Sequence, residues 1–142
     1  MLRHAFALEV KEGKTAEFRG NLGKIWPELT AFLDAKKMVN FSMWNVERMV
    51  FGYYESEDDF TFTAEDKEKV KAWEASYGAS YTWISTPFEE MRLMYHDFGI
   101  VRESKELIRH RVFITKLVPG SEEEYKARHD VLNSNLDIFE SF

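Results

Sequence analysis

The chain has 142 residues, 44% of them hydrophobic and 15% aromatic, a net charge of −6 and no cysteine. That size suits one ordinary domain, or a small domain with an extension, and the aromatic content exceeds what a small core needs, so part of it is expected to line a cavity or a partner surface. The acidic balance argues against a nucleic-acid partner, which needs clustered Lys and Arg, and the missing cysteines exclude disulfides and thiolate chemistry.

Residues 2–10 are rich in apolar side chains, and Lys11-Glu12-Gly13-Lys14 reads as the turn that ends a first strand. A helix is expected over 15–37, with Thr15 as its cap. Phe18, Leu22, Ile25, Trp26, Leu29, Phe32 and Leu33 recur at steps of three and four and form one broad apolar face. Pro27 inside this pattern lacks an amide hydrogen, and Gly23 weakens the same region, so a kink or restart is expected with Trp26 at the break. By residue type alone, Trp26 fills core. Residues 38–46 and 48–55 alternate in polarity on either side of a short polar break, which predicts an antiparallel hairpin. Gly52 leaves a gap on its strand, a sign that another group comes close there.

Thr63-Ala64-Glu65-Asp66 fits a capping box, and Val70, Trp73, Tyr77 and Tyr81 follow at helical steps. Pro87 ends that segment, and residues 88–95 supply a fourth strand. The order strand, helix, strand, strand, helix, strand predicts an α+β, ferredoxin-like βαββαβ unit, an antiparallel sheet with both helices on one face. The other face carries aromatic and apolar side chains, so a second copy of the sheet is expected to cover it, giving a homodimer. Residues 96–107 form a polar bridge; a strand over 109–118 and a helix from Ser121, capped with Glu124, follow. The division expected is 1–98, a linker at 99–107, and 108–142 as an extra strand and helix at the dimer interface.

That tail repeats the start of the chain. Phe6 to Leu33 can be laid on Phe113 to Glu140 without a gap, so that Gly13 meets Gly120, Glu17 meets Glu124, Phe18 meets Tyr125 and Leu22 meets His129. The matches fall on strand, turn glycine and helix face in the same order, which reads as a partial internal repeat. His4 and His110 begin strands and read as structural. His96 beside Asp97 lacks further ligands at metal-like spacing, so no metal site and no cofactor are expected. Met1-Leu2-Arg3-His4 has no apolar signal core and no run reaches membrane-spanning length, so a cytoplasmic protein without a membrane partner is expected.

Over about residues 2–96 the chain resembles the L-rhamnose mutarotase family. The resemblance is carried by the strand from Arg3 to Val10, Glu17-Phe18, Ile25-Trp26-Pro27-Glu28-Leu29, Asn40-Phe41 and Trp73. It implies a dimeric α/β-barrel enzyme that interconverts sugar anomers by acid–base ring opening. The family places a Tyr and a His one helical turn apart just before the Trp-Pro string; here those positions hold Phe18 and Leu22. Its ring-contacting Tyr corresponds to Phe41, and of its aromatic pair in the second helix Ala72 replaces one member while Trp73 keeps the other. In the tail, Glu124-Tyr125-Lys126-Ala127-Arg128-His129-Asp130 matches the family's helix, although Asn133-Ser134-Asn135-Leu136 stands where the string should be. The resemblance therefore implies His129 as acid/base with Tyr125 as helper, and Trp73, Phe41, Trp26, Asn40 and Arg128 as sugar contacts. Mutarotation needs a proton delivered to the ring oxygen and one removed from the anomeric hydroxyl, and an imidazole serves both ends near neutral pH. The substitutions at Phe18, Leu22, Phe41 and Ala72 keep a second reading open: a non-catalytic barrel relative that binds or assembles.

Overall fold

The sheet is organised around β1 (Leu2–Val10), which pairs antiparallel with β3 (Met49–Ser56) on one edge and β4 (Tyr81–Trp83) on the other. β2 (Met38–Val46) pairs antiparallel with β3, giving the order β2-β3-β1-β4. Helices α1 (Thr15–Ala35) and α2 (Ala64–Ser76) connect the strands in a βαββαβ succession, and α3 (Glu122–Ser134) follows. This is the ferredoxin-like α+β fold expected. The computed structural model describes residues 2–58, 61–76, 80–89, 91–93 and 111–134. The chain forms two compact units, Met1–Met91 and Arg92–Phe142.

Alternation decides which face is covered. His4, Phe6, Leu8 and Val10 of β1 share a face with Val50, Gly52, Tyr54 and Ser56, their register partners or neighbours on β3. Leu8, Val10 and Val50 are buried on that face with Phe18 of α1 in one cluster, and Leu22, Met43, Tyr81 and Trp83 pack around it. Gly52 sits beneath Phe6: a Cβ there would overlap the ring, so the close approach expected at this glycine is real. On the opposite face Glu55 is buried and accepts hydrogen bonds from Asn40 Nδ2 and from the Tyr53 hydroxyl at 2.7 Å. Burial and the neighbouring Glu55 carboxylate push the Tyr53 phenol up to about 12. Asn40 holds a φ of 54° where the β2–β3 register shifts, a left-handed conformation that Asn tolerates.

Several local expectations change. Helix α1 runs unbroken through Pro27. The proline removes one donor to the Gly23 carbonyl, but Gly23 is exposed, so water can replace it, and the Thr30 hydroxyl donates to the carbonyls of Trp26 and Pro27 at 3.0 Å. Trp26 is 44% exposed and is not core. The N-cap of α1 is Lys14, without a side-chain cap bond, and Thr15 is already helical. At α2 the capping box forms as expected: the Thr63 amide donates to Asp66 Oδ2 at 2.9 Å, and the Asp66 amide to Thr63 Oγ1 at 3.2 Å. Burial alone would raise the Asp66 carboxyl, but hydrogen bonds from Lys36 and Thr63 outweigh it and hold the group below its ordinary value.

The fourth strand is Tyr81–Trp83, not 88–95. Tyr81 pairs with Val10 and Trp83 with Leu8, which sends both rings to the helix side. Met91 and Leu93 are exposed, so no burial draws that stretch into the sheet, and Phe88 turns the chain with a φ of 64°. Residues 111–118 form no strand, and Phe113 is 81% exposed; among the described residues they have no ladder partner. The second expected capping box does not form either. Ser121 donates back to the Val118 carbonyl at 2.7 Å, and Glu124 pairs with Arg128. The bridge with His96 and Asp97, His110, Tyr77, and the helix positions Leu136 and Phe139 lie outside the described residues.

Candidate functional site

Helices α1 and α2 do not close down fully on the sheet. Between them and the covered face lies a cavity of about 420 Å³, in the range of small-molecule sites. Its floor is His4, Phe6 and Leu8 of β1, Tyr54 of β3, Phe41 and Met43 of β2, and Tyr81 and Trp83 of β4. Phe18, Leu22, Ile25 and Leu29 of α1 line the other side with Trp73 and Glu74 of α2. The helical spacing that makes α1 amphipathic is thus what sends positions 18, 22, 25 and 29 to one wall.

Aromatic contacts set the shape. Phe6 lies 5.9 Å from Trp83 and 6.4 Å from Phe41, between ring centroids. Phe18 meets Tyr81 edge-on at 5.7 Å, and Phe32 meets Trp73 edge-on at 5.6 Å. Trp73 is buried, and its indole Nε1 donates to Glu28 Oε2 at 2.9 Å. Glu28 belongs to the Ile-Trp-Pro-Glu-Leu string, so that string has a structural account. Ile25 and Leu29 line the cavity, Glu28 fixes the orientation of Trp73, and Trp26 packs on Phe41 at 6.1 Å.

Polar groups on the wall are few. Glu74 accepts hydrogen bonds at one oxygen, Oε1, from the Tyr81 hydroxyl at 2.9 Å and from Trp83 Nε1 at 2.6 Å. His4 is buried, stacks on Tyr54 at 4.7 Å, and lies 2.8 Å from Ser56 Oγ through Nε2. Ser56 spends its one hydroxyl hydrogen on the Asp58 carbonyl, so the hydrogen between His4 and Ser56 belongs to Nε2.

Of the residues singled out from sequence, Phe41 and Trp73 line the cavity, as do Phe18 and Leu22. Trp26 touches Phe41 from outside the lining, and Asn40 is bonded to Glu55 on the other face of the sheet. Tyr125, Arg128 and His129 belong to the second unit. There Tyr125 and His129 are half-buried with ring centroids 4.2 Å apart, and His129 Nδ1 donates to the Tyr125 carbonyl at 2.9 Å. That bond leaves Nε2 with the lone pair in the neutral ring. Arg128 is held by Glu124. Sequence reading missed Glu74, Tyr81 and Glu28. The Tyr-Thr-Trp alternation at 81–83 was a usable strand signal; an acid on the face of α2 gave none.

The model of the family described as L-rhamnose mutarotase matches residues 3–94. The chain belongs to the L-rhamnose mutarotase family. It is similar to the L-rhamnose mutarotase of Opitutus terrae, 36% identical over 66 residues, which is 45% of this chain and 64% of that protein. The match thus spans less than two thirds of that relative's length. A crystal structure of an L-rhamnose mutarotase from Formosa agariphila superposes with a TM-score of 0.50 at 22% identity, over 66% of this chain and 99% of that one. The likeness to that structure supports the fold. Among the described residues no helix is long and apolar enough to cross a membrane, and no group of His, Cys, Asp or Glu is arranged to hold a metal ion.

Proposed function

We propose that the protein interconverts the anomers of a 6-deoxy sugar of the L-rhamnose type by acid–base opening and closing of the ring. One observation carries this reading: Phe18, Leu22, Phe41 and Trp73, which the resemblance sets against the family's site, line a single cavity of small-molecule size. Flat rings there suit the apolar face of a deoxy sugar. Phe18 and Leu22 carry no exchangeable proton, so proton transfer is assigned to His129, with Tyr125 as helper. What supports the assignment is the pair's spacing of one helical turn, their ring contact, and the Nδ1 bond that sets the tautomer. Trp26 and Arg128 are further sugar contacts in this reading; Asn40, bonded to Glu55 on the other face of the sheet, is not. The protein acts in the cytoplasm as a homodimer, with residues 108–142 as a partial second repeat at the interface.

The test is exchange between L-rhamnose anomers, followed by saturation-transfer NMR on wild type and His129→Ala. Wild type should accelerate exchange, and the variant should lose about 100-fold or more of that acceleration. No acceleration by wild type removes the reading. A second reading, a binding relative without catalysis, is favoured by the apolar side chains at positions 18 and 22; calorimetric sugar binding without anomer exchange would establish it.

A further inference from the structure

The cavity wall has a charge pattern that a neutral sugar does not use. Among the described residues its lining includes no Lys and no Arg, while Glu74 presents a carboxylate to it and Glu89, the other acid among them, repeats the sign. Glu74 is fixed by two neutral donors, the Tyr81 hydroxyl and the Trp83 indole, and both reach the same oxygen. Among the described residues Oε2 has no hydrogen-bond or ion-pair partner, so its lone pairs remain for a ligand. Phe18 and Leu22 add apolar side chains to the same wall.

A ligand that enters this cavity strips water from a carboxylate that no Lys or Arg among the described residues compensates. A neutral hydroxyl returns one hydrogen bond for that loss. A protonated amine returns charge as well as several N–H donors, and the pairing strengthens as the walls exclude water. The rings of Phe6, Phe41, Trp73 and Trp83 then hold the carbon frame.

We infer that the first unit's cavity selects an amine-bearing deoxy sugar over L-rhamnose, with Glu74 Oε2 as the charge partner of the ammonium group. This rests on the sugar-binding reading above and names a substrate class for the same cavity. Glu74→Gln is the informative variant, because the amide oxygen can still accept from Tyr81 and Trp83 while the charge is gone.

The experiment is calorimetric titration of the full chain with fucosamine, N-acetylfucosamine and L-rhamnose, on wild type and Glu74→Gln, with thermal melts to confirm that both fold. Wild type should bind fucosamine about tenfold more tightly than either neutral sugar at low salt, with the margin shrinking as salt rises. The ratio should fall to about one in Glu74→Gln. Equal or weaker binding of fucosamine by wild type, or a preference that survives the variant, overturns the inference. Anomer exchange measured alongside separates the two proposals. Exchange of L-rhamnose without amine preference sinks this one alone, whereas amine preference without exchange of any probe sinks only the catalytic reading.

Discussion

Helices α1 and α3 each follow a turn glycine, Gly13 and Gly120, yet among the described residues only α1 is preceded by a strand, and the two differ at positions 18/22 and 125/129. On α1, Phe18 is 9% exposed, packed with Leu8, Val10 and Val50, and Leu22 leans on the same cluster. On α3, Tyr125 and His129 are only half-buried, and His129 Nδ1 donates to the Tyr125 carbonyl. The contrast has a physical basis. A position that closes a core is cheapest when apolar, because a buried hydroxyl or imidazole must find partners there, whereas a half-buried position tolerates both. In the first unit positions 18 and 22 serve packing. In the second unit Tyr125 and His129 stay half-buried, one helical turn apart.

The largest expected effect comes from moving the pair. In a His129→Ala background, Phe18→Tyr with Leu22→His should restore anomer exchange by about 100-fold, read by saturation-transfer NMR. If exchange stays at the background rate although the protein folds, the cavity is not a mutarotation site. Stability should divide the two helices in the opposite sense. Phe18→Ala should cost about 3–5 kcal/mol in urea denaturation, by loss of core contacts and the cavity left behind. Tyr125→Ala should cost under about 1 kcal/mol. Equal losses would mean that α3 is as deeply packed as α1.

The smallest effect concerns the Asp66 cap, which ties α2 to Lys36 just beyond α1. Its folded carboxyl lies below the ordinary value of 3.8, so the unfolded chain binds the proton more readily. The stability it contributes is therefore present above about pH 4 and is lost as pH falls through the folded value. Wild type should exceed Asp66→Asn by about 1 kcal/mol near neutrality, with the gap closing in acid. A gap that does not change with pH would show that the charge of Asp66 contributes nothing.

Much of the first unit was legible. The first strand, the hairpin, both of its helices and the Thr63–Asp66 capping box follow from alternation, helical spacing and cap chemistry within a few residues of one another. Gly52 was legible for the same reason, since a missing side chain in an alternating strand marks the space that Phe6 occupies. Of the cavity wall, Trp73, Phe41, Phe18 and Leu22 were named from the sequence. Trp26 was misplaced in the core because residue type says nothing of how far a broad helix face extends past its contact. The fourth strand was misplaced because residues 88–95 alternate as well as residues 81–83 do, and only the free edge of β1 decides between them.

The sequence by itself determined the βαββαβ order of the first unit, the family, and which helix carries an imidazole and a phenol one turn apart. These depend on neighbours along the chain. Only the tertiary structure decided that Tyr81 and Trp83 pair beside Leu8 and Val10, and that they then grip Glu74 from across the cavity. It also decided that Glu28 orients Trp73. Such contacts join residues far apart in sequence, and their geometry exists only once the register of the sheet and the seat of the helices on it are set.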